Sequence, residues 1–110
     1  MRDDKTYIDQ ILDSIRKIEL YIGDSDKDKF ITDGKTQSAI LMQLTVIGET
    51  SKNISEVIKS KIDLPWKKVA GFRNKTVHAY FDLDVDIVWE TIHGSIPELK
   101  EKLLRYKSMD

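Results

Sequence analysis

Apolar residues recur every three or four positions along most of the chain, and this spacing predicts helices that each bury one face. The first helical segment ends near Gly23. A polar, turn-rich stretch follows at 24–35, where Phe30 is the expected apolar anchor of a single helical turn. The apolar face of the first segment consists of Ile8, Ile11, Leu12, Ile15, Ile18 and Ile22.

The second helical segment carries two stripes instead of one. We expect it to begin after Thr32 or Asp33, either of which can act as the N-cap, and to run to about Ser60. A helix with one neighbour needs a single apolar stripe, so the second stripe predicts contact on two sides. The second neighbour is either a partner subunit or another part of the bundle around a central helix, and the pattern favours neither. The first stripe is Ile40, Leu44, Ile47, Ser51, Ile54 and Ile58, and the second is Ala39, Met42, Val46, Glu49, Asn53 and Val57.

Helix-breaking and capping residues divide the rest of the chain. Pro65 interrupts it, and the pattern predicts a third helix from about Trp66 to Ala79. A fourth helix follows, with Asp84 or Asp86 as its cap.

The last segment has a further capping signal inside it. Ser95 is an expected cap, with Pro97 in the first turn and Glu98 at the third helical position. This predicts either a fifth helix or a kinked continuation of the fourth. Because no strand-like alternation occurs, we expect an all-α, antiparallel up-and-down bundle of four or five helices, with 1–110 forming a single domain.

Composition narrows the class of protein. The 110 residues are 40% hydrophobic and 34% charged, which is typical of a globular chain and too apolar for disorder. There is no cysteine and no apolar run of signal-peptide or membrane-spanning type, so we expect a cytoplasmic protein that makes no membrane contact. The net charge of -1 argues against a long nucleic-acid groove, so any contact with RNA must be local.

The third helix concentrates polar chemistry in Arg73, Asn74, His78 and Tyr80. On an ideal helix, His78 lies about 140° around from Arg73 and about 7.5 Å along the axis, so one straight helix does not point both side chains at one spot. The arginine could bend round, or the helix could distort near Gly71. Alternatively, a two-fold dimer would supply both side chains twice across one interface.

Arg73 and His78 are suited to RNA cleavage without a metal. Histidine can act as base or acid near neutral pH, and arginine grips phosphate oxygens while staying charged. The two residues are therefore candidate catalytic groups for a reaction that needs neither a cofactor nor a metal. On spacing alone, however, such a pair more often belongs to a surface or a cap, and a tyrosine such as Tyr80 more often belongs to a core or an interface. Glu49 needs a partner if it is buried; an ion pair with Arg73 and an exposed carboxylate are equally compatible with the sequence.

Two other polar features have structural interpretations. Asp82, Asp84 and Asp86 resemble a metal-binding loop but lack the glycine and the distal glutamate of a calcium loop, so we interpret them as turn and capping residues. His93 has no matching partners in the sequence, and we interpret it as structural or exposed.

The sequence resembles the HEPN superfamily, specifically its HepT-like proteins. The resemblance covers most of the chain and is strongest in "IGETSKNIS", in "LPWKKVAGFRNKTVHAYFDLDVDIVWE" and in "IPELKE". The shared motif is an arginine, four residues, a histidine, any residue and a tyrosine, which places Arg73, His78 and Tyr80 in it. Asn74 after the arginine also matches.

The resemblance implies a function as well as a fold. HEPN proteins are helical bundles that form two-fold dimers, with the arginine and the histidine meeting at the dimer cleft in a metal-independent ribonuclease site. HepT-like members resemble toxins whose partner nucleotidyltransferase, the antitoxin, transfers AMP from ATP to the motif tyrosine. By this resemblance, Arg73 and His78 are catalytic, Asn74 and Glu49 support them, and Tyr80 is the AMP acceptor.

The sequence also departs from the family pattern. Helix two often carries an arginine and a glutamate at the positions of Met42 and Thr45, so the chain lacks a cation and a carboxylate near the expected interface. This leaves two alternatives to the nuclease. One is a non-catalytic nucleotide-binding or regulatory module of a nucleotidyltransferase complex, and the other is a structural dimerisation domain.

Overall fold

Every regular element in the described parts of the chain, residues 3–73 and 84–109 of this computed structural model, is helical. This confirms the expected all-α fold class. Within these ranges, no helix is both long enough and apolar enough to cross a membrane. The helices are α1 (Asp4–Ile22), α2 (Lys27–Ile31), α3 (Gly34–Ser51), α4 (Glu56–Lys61), α5 (Trp66–Ala70), α6 (Val85–Glu90) and α7 (Ile96–Ser108), with a π-helical turn at Thr91–Ser95 between the last two.

Helix α1 has the length and the buried face that its periodicity predicts. Asp3 caps it by accepting a hydrogen bond from the Thr6 backbone N–H, and the chain leaves it at Gly23, whose φ of 51° suits glycine. Helix α7 packs antiparallel to α1, since Lys100 pairs with Glu19 near one end of α1 at 2.8 Å and Lys107 pairs with Asp9 near the other end. These two helices form one side of the bundle.

The short helix α2 anchors the polar stretch after α1, as expected. Phe30 is fully buried, and the Gln37 side chain donates hydrogen bonds to the backbone oxygens of Phe30 (2.7 Å) and Ile31 (3.0 Å). The core that these elements enclose is made by Ile8, Ile11, Ile15, Ile18, Ile22, Phe30, Ile40, Leu44, Ile47, Ile54, Ile62, Val69, Phe72, Val88, Ile92, Ile96, Leu99 and Leu103.

Helix α3 starts where the sequence predicts but ends earlier. Asp33 is its N-cap and accepts from the Thr36 backbone N–H. The prediction that this helix runs to about Ser60 is wrong, because it ends at Ser51 and a separate helix, α4, begins after Ser55.

The cause of the break is a second capping site. The Ser55 backbone N–H and hydroxyl donate to the two carboxylate oxygens of Asp4, at 2.7 and 2.8 Å. The Ser55 hydroxyl oxygen in turn accepts from the Ile58 backbone N–H and caps α4. The contact between Asp4 and Ser55 brings the start of α1 to the end of α3, so these two helices are antiparallel.

The third predicted helix begins at Trp66, as expected after Pro65. The Trp66 indole N–H lies 3.1 Å from the backbone oxygens of both Lys59 and Ile62, which ties the end of α4 to the start of α5. Helix α5 ends at Ala70, a turn follows at 71, and residues 72–73 are helical again. The rest of the predicted helix, 74–79, lies outside the described residues.

The last two helices are continuous through the π-helical turn, so α7 continues the fourth predicted helix and is not a separate fifth one. Asp84 caps α6 by accepting from the Ile87 backbone N–H, as expected. The prediction that Ser95 caps a new helix is wrong, because Ser95 has helical backbone angles and makes no capping hydrogen bond. Pro97 lacks a backbone N–H and its ring would clash with the preceding turn of a regular α-helix, and a wider π-helical turn relieves that conflict.

Candidate functional site

The candidate site lies where the chain after α5 crosses the last turns of α3. Arg73 and Glu49 meet there, with 2.9 Å between Arg73 Nε and Glu49 Oε1. The two side chains are 52% and 49% exposed, so the pair lies at the surface and not in the core. The sequence left a paired and an exposed carboxylate as alternatives, and Glu49 is both.

The pair forms a small network of charges. Lys52, one turn after Glu49 on the same stretch, places its ammonium 3.5 Å from the same Oε1 atom. An exposed ion pair of this kind adds little to stability, because water screens both charges. Its effect is on orientation: contact through Nε fixes one side of the guanidinium, while the half-exposed side chain stays accessible to a phosphate.

The second stripe of α3 leads up to this pair along the outside of the protomer. Met42 is 59% exposed, and Ala39 and Val46 are only partly buried. The buried neighbours of α3 contact the other stripe, at Ile40 and Leu44. Helix α3 packs against α1, α2 and α5 of its own chain, and Met42 stays exposed beside these contacts.

The other predicted site residues lie in a part of the chain that the structure does not describe. Asn74, His78 and Tyr80 lie outside the described residues, as does Asp82. The structure therefore brings together Arg73 and Glu49 of the five predicted site residues.

The residues interpreted as structural have structural contacts. Asp84 caps α6, and Asp86 pairs with Lys27 at 2.7 Å, which ties α6 to α2. His93 is exposed; its Nδ1 lies 2.9 Å from the backbone oxygen of Trp89, and its ring is 4.0 Å from that indole. Across residues 3–73 and 84–109, no group of acidic and histidine side chains is arranged to hold a metal ion.

The two departures from the family pattern lie on α3. Thr45 turns its hydroxyl back onto its own helix and donates to the backbone oxygen of Leu41 at 3.0 Å. Met42 faces outward on the exposed stripe. Both positions are therefore outside the core, and their substitution leaves the packing of the bundle intact.

One residue of the site was missed by sequence reasoning. Gly48 is buried beside the Arg73 backbone, where a side chain has no room. The signal in the sequence was a glycine in the interior of a strongly periodic helix, directly before Glu49, because such a glycine is unfavourable unless another segment packs close to it.

The chain is similar in sequence to known proteins over most of its length. The family model described as "Ribonuclease HepT-like" matches residues 11–106. A protein of Thermococcus cleftensis named "Probable ribonuclease HepT" is 39% identical over 102 residues, which cover 92% of this chain and 93% of that protein. "Putative RNase TTE0752" of Caldanaerobacter subterraneus subsp. tengcongensis is 36% identical over 94% of this chain and 93% of its own length.

A two-part relative also matches. "Gamma-glutamylcyclotransferase and putative RNase MJ0434" of Methanocaldococcus jannaschii is 36% identical over 94% of this chain, which spans 47% of that protein. No solved structure gives a significant match. The family model covers most of the chain, and the Thermococcus relative is matched over nearly its whole length. The chain therefore belongs to the ribonuclease HepT-like family, which confirms the HEPN-type resemblance of its motifs.

Proposed function

We propose that this protein is a metal-independent RNA endonuclease that works as a homodimer. The observation that carries the proposal is the surface ion pair of Arg73 and Glu49, which holds a phosphate-binding group in place at the end of an exposed apolar stripe. Membership of the ribonuclease HepT-like family supports RNA as the substrate.

The proposed reaction needs a base, an acid and a cation. The 2′-hydroxyl of RNA attacks the adjacent phosphorus and loses its proton to His78, the bond to the 5′-oxygen breaks, and that oxygen receives a proton from an acid. Arg73 binds the phosphate oxygens and stabilises the charge that develops on them. Asn74 positions the substrate or the local backbone.

One copy of the chain supplies one such histidine, and acid and base together are best served by two. A two-fold dimer supplies His78 and Arg73 twice. The exposed stripe of α3 supports this assembly, because Met42 and its partly buried neighbours form an apolar surface that ends at Arg73 and Glu49. In this dimer each protomer completes the other's site.

We further propose that the protein is the toxin of a toxin–antitoxin pair in the cytoplasm. The antitoxin is a nucleotidyltransferase that joins AMP from ATP to the hydroxyl of Tyr80 and releases pyrophosphate. Tyr80 lies two residues after His78 in the sequence. Each added phosphate would bring negative charge close to Arg73 and compete with RNA for it.

The first experiment tests cleavage. Purified dimer is incubated with RNA in the presence and absence of EDTA, beside the variants Arg73→Ala, His78→Ala and His93→Ala. We expect cleavage in both buffers and a loss of about 10²- to 10⁴-fold in rate for His78→Ala, since that is the usual contribution of a general acid or base. Arg73→Ala should lose at least about 10²-fold.

His93→Ala is the matched control, because it removes the chain's other histidine, and it should cleave at the wild-type rate. An intact RNA substrate after incubation with folded wild-type dimer would refute the nuclease. If that dimer instead bound a nucleotide in calorimetry, the regulatory module would be the better description.

A second experiment tests neutralisation. The chain is expressed alone and together with a nucleotidyltransferase encoded beside it, with Tyr80→Phe as the comparison. We expect growth arrest that the nucleotidyltransferase relieves, with the mass of added AMP on Tyr80, and no relief for Tyr80→Phe. Relief of arrest without any change in mass would contradict the AMP mechanism but not the nuclease.

A further inference from the structure

We infer that Gly48 is a positioning residue for Arg73: the absence of a side chain at position 48 lets the backbone of 70–73 pack directly on α3 and fixes where the guanidinium can reach. This inference rests on the proposed nuclease for its effect on catalysis. Its structural part, the close approach of the two backbones, can be measured without any activity.

The space for a side chain at position 48 is already occupied. A Cβ atom added to Gly48 would lie 2.8 Å from the Arg73 backbone nitrogen, 3.0 Å from the Ala70 backbone oxygen and 3.3 Å from Arg73 Cβ. Ordinary contact between such atoms needs about 3.5 Å or more. Two of the three obstacles are backbone atoms, which cannot rotate away, so an alanine must push the segment off α3 by several tenths of an ångström.

Gly48 is itself held firmly. It is buried within α3, and its backbone oxygen accepts a hydrogen bond of 2.8 Å from the buried hydroxyl of Ser51. Helix α3 packs against α1 in the core, so we expect the segment after α5 to be the part that moves.

Two neighbouring residues thus act on one arginine by different contacts. Gly48 sets the position of the Arg73 backbone, and Glu49 holds the Arg73 Nε atom at 2.9 Å. A displaced backbone would stretch or break that ion pair. Misplacement of a catalytic group by about 1 Å can cost about 10²-fold in rate, so a smaller shift should still be measurable.

Other glycines of the chain provide the matched comparison. A Cβ at Gly34, the first residue of α3, or at Gly94, in the π-helical turn, would meet nothing within 4 Å. Gly34→Ala therefore makes the same chemical change in the same helix without the steric conflict.

The test compares Gly48→Ala with Gly34→Ala in the full-length protein. We expect both variants to fold and dimerise, as judged by circular dichroism and light scattering. Gly48→Ala should lose about 10-fold or more in kcat for RNA cleavage with a smaller change in KM, because Arg73 acts most strongly on the transition state. Gly34→Ala should keep the wild-type kcat. Equal kcat for the two variants would overturn the inference.

A spectroscopic readout separates positioning from general destabilisation. In the wild type, the Arg73 Nε–H proton should show the shifted and exchange-protected NMR signal of a side chain held by a carboxylate, and Glu49→Gln identifies that signal by changing it. Gly48→Ala should move it and Gly34→Ala should not. An unchanged Arg73 signal in folded Gly48→Ala would overturn the inference, whatever the enzyme assay shows.

A measurement on the unaltered chain covers the case in which Gly48→Ala does not fold. The close approach predicts a nuclear Overhauser effect between the Gly48 α protons and the Arg73 amide proton, and its absence would overturn the inference. If the wild type does not cleave RNA, the proposed nuclease fails, while the two NMR measurements still decide whether Gly48 positions Arg73.

Discussion

The two faces of helix α3 differ in how far the rest of the molecule buries them. On one face Ile40, Leu44 and Ile47 are fully buried against the protomer's own core. On the other face Met42 is 59% exposed, and the stripe ends at the surface pair of Glu49 and Arg73. The first face is covered within one chain, whereas the second is the face that the proposed dimer would cover. One helix therefore carries the fold on one side and the proposed activity on the other.

The largest effect should come from the buried face. Leu44→Ala removes a fully buried side chain and should lower the free energy of unfolding by about 2–5 kcal/mol, from lost transfer energy and the cavity left behind. Urea unfolding followed by circular dichroism measures this. Leu20→Ala is the control, because Leu20 is 68% exposed and its truncation should change stability by about 0.5 kcal/mol or less. Similar losses for the two variants would contradict the burial of Leu44 in the core.

A substitution on the exposed face should weaken the dimer and leave the folding of the protomer unchanged. Met42→Glu places like charges near each other across the proposed two-fold interface, so the dimer dissociation constant should rise about 10-fold or more while the protomer stays helical. Analytical ultracentrifugation measures the change, and the cleavage rate should fall with the dimer. Leu20→Glu makes the same change at an exposed apolar position of α1 and should leave the dimer intact. A dimer unaffected by Met42→Glu would show that this face is not the interface.

The smallest effect should come from the cap of α3, which belongs to neither face. Hydrogen bonds from the Thr36 hydroxyl and backbone N–H lower the pKa of Asp33 below its ordinary value of 3.8. A carboxylate whose pKa is lower in the folded state stabilises the fold at pH values above its unfolded-state pKa. This contribution is lost as the pH falls through the folded-state pKa. Asp33→Asn keeps a capping oxygen but cannot titrate.

The unfolding temperature of Asp33→Asn should therefore lie slightly below that of the wild type near neutral pH, and the gap should close as the pH falls below about 4. Thermal denaturation across this range measures it. Asp24→Asn, at an exposed position between α1 and α2, is the control for a lost surface charge. A gap that stays constant with pH would show that the Asp33 carboxylate does not contribute through its ionisation.

Sequence periodicity predicted the parts of the fold that are governed by burial. The face of α1 and the anchor at Phe30 are confirmed, and each of the two predicted pairs of alternative caps contains the residue that caps, Asp33 and Asp84. The capping contacts depend on residues close together in sequence. The end of α3 was missed because it depends on Asp4, which meets Ser55 only in the folded chain. A serine inside a periodic segment does not reveal such a partner.

The sequence likewise predicted only part of the candidate site. The pairing of Glu49 with Arg73 was one of two alternatives, and the chemistry of the two residues could not choose between them. The importance of Gly48 was missed, because a glycine inside a periodic helix indicates that another segment packs close to it but not which segment. It becomes visible only when the Arg73 backbone is seen 2.8 Å from the place where a Cβ would be.

The π-helical turn has a consequence for how this chain can change in length. Val88, Ile92 and Ile96 are spaced four apart and all face the core. The turn between them closes its hydrogen bond from Ile96 to Thr91, so it holds one residue more than an α-helical turn. Deleting one residue there would return the turn to a regular α-helical one and restore the clash with the Pro97 ring. Inserting one residue would rotate α7 by about 100° relative to α6 and carry Leu99 out of the core. Gly94 has open space around it and should tolerate replacement. In this segment, insertions and deletions should therefore be tolerated far less than substitutions.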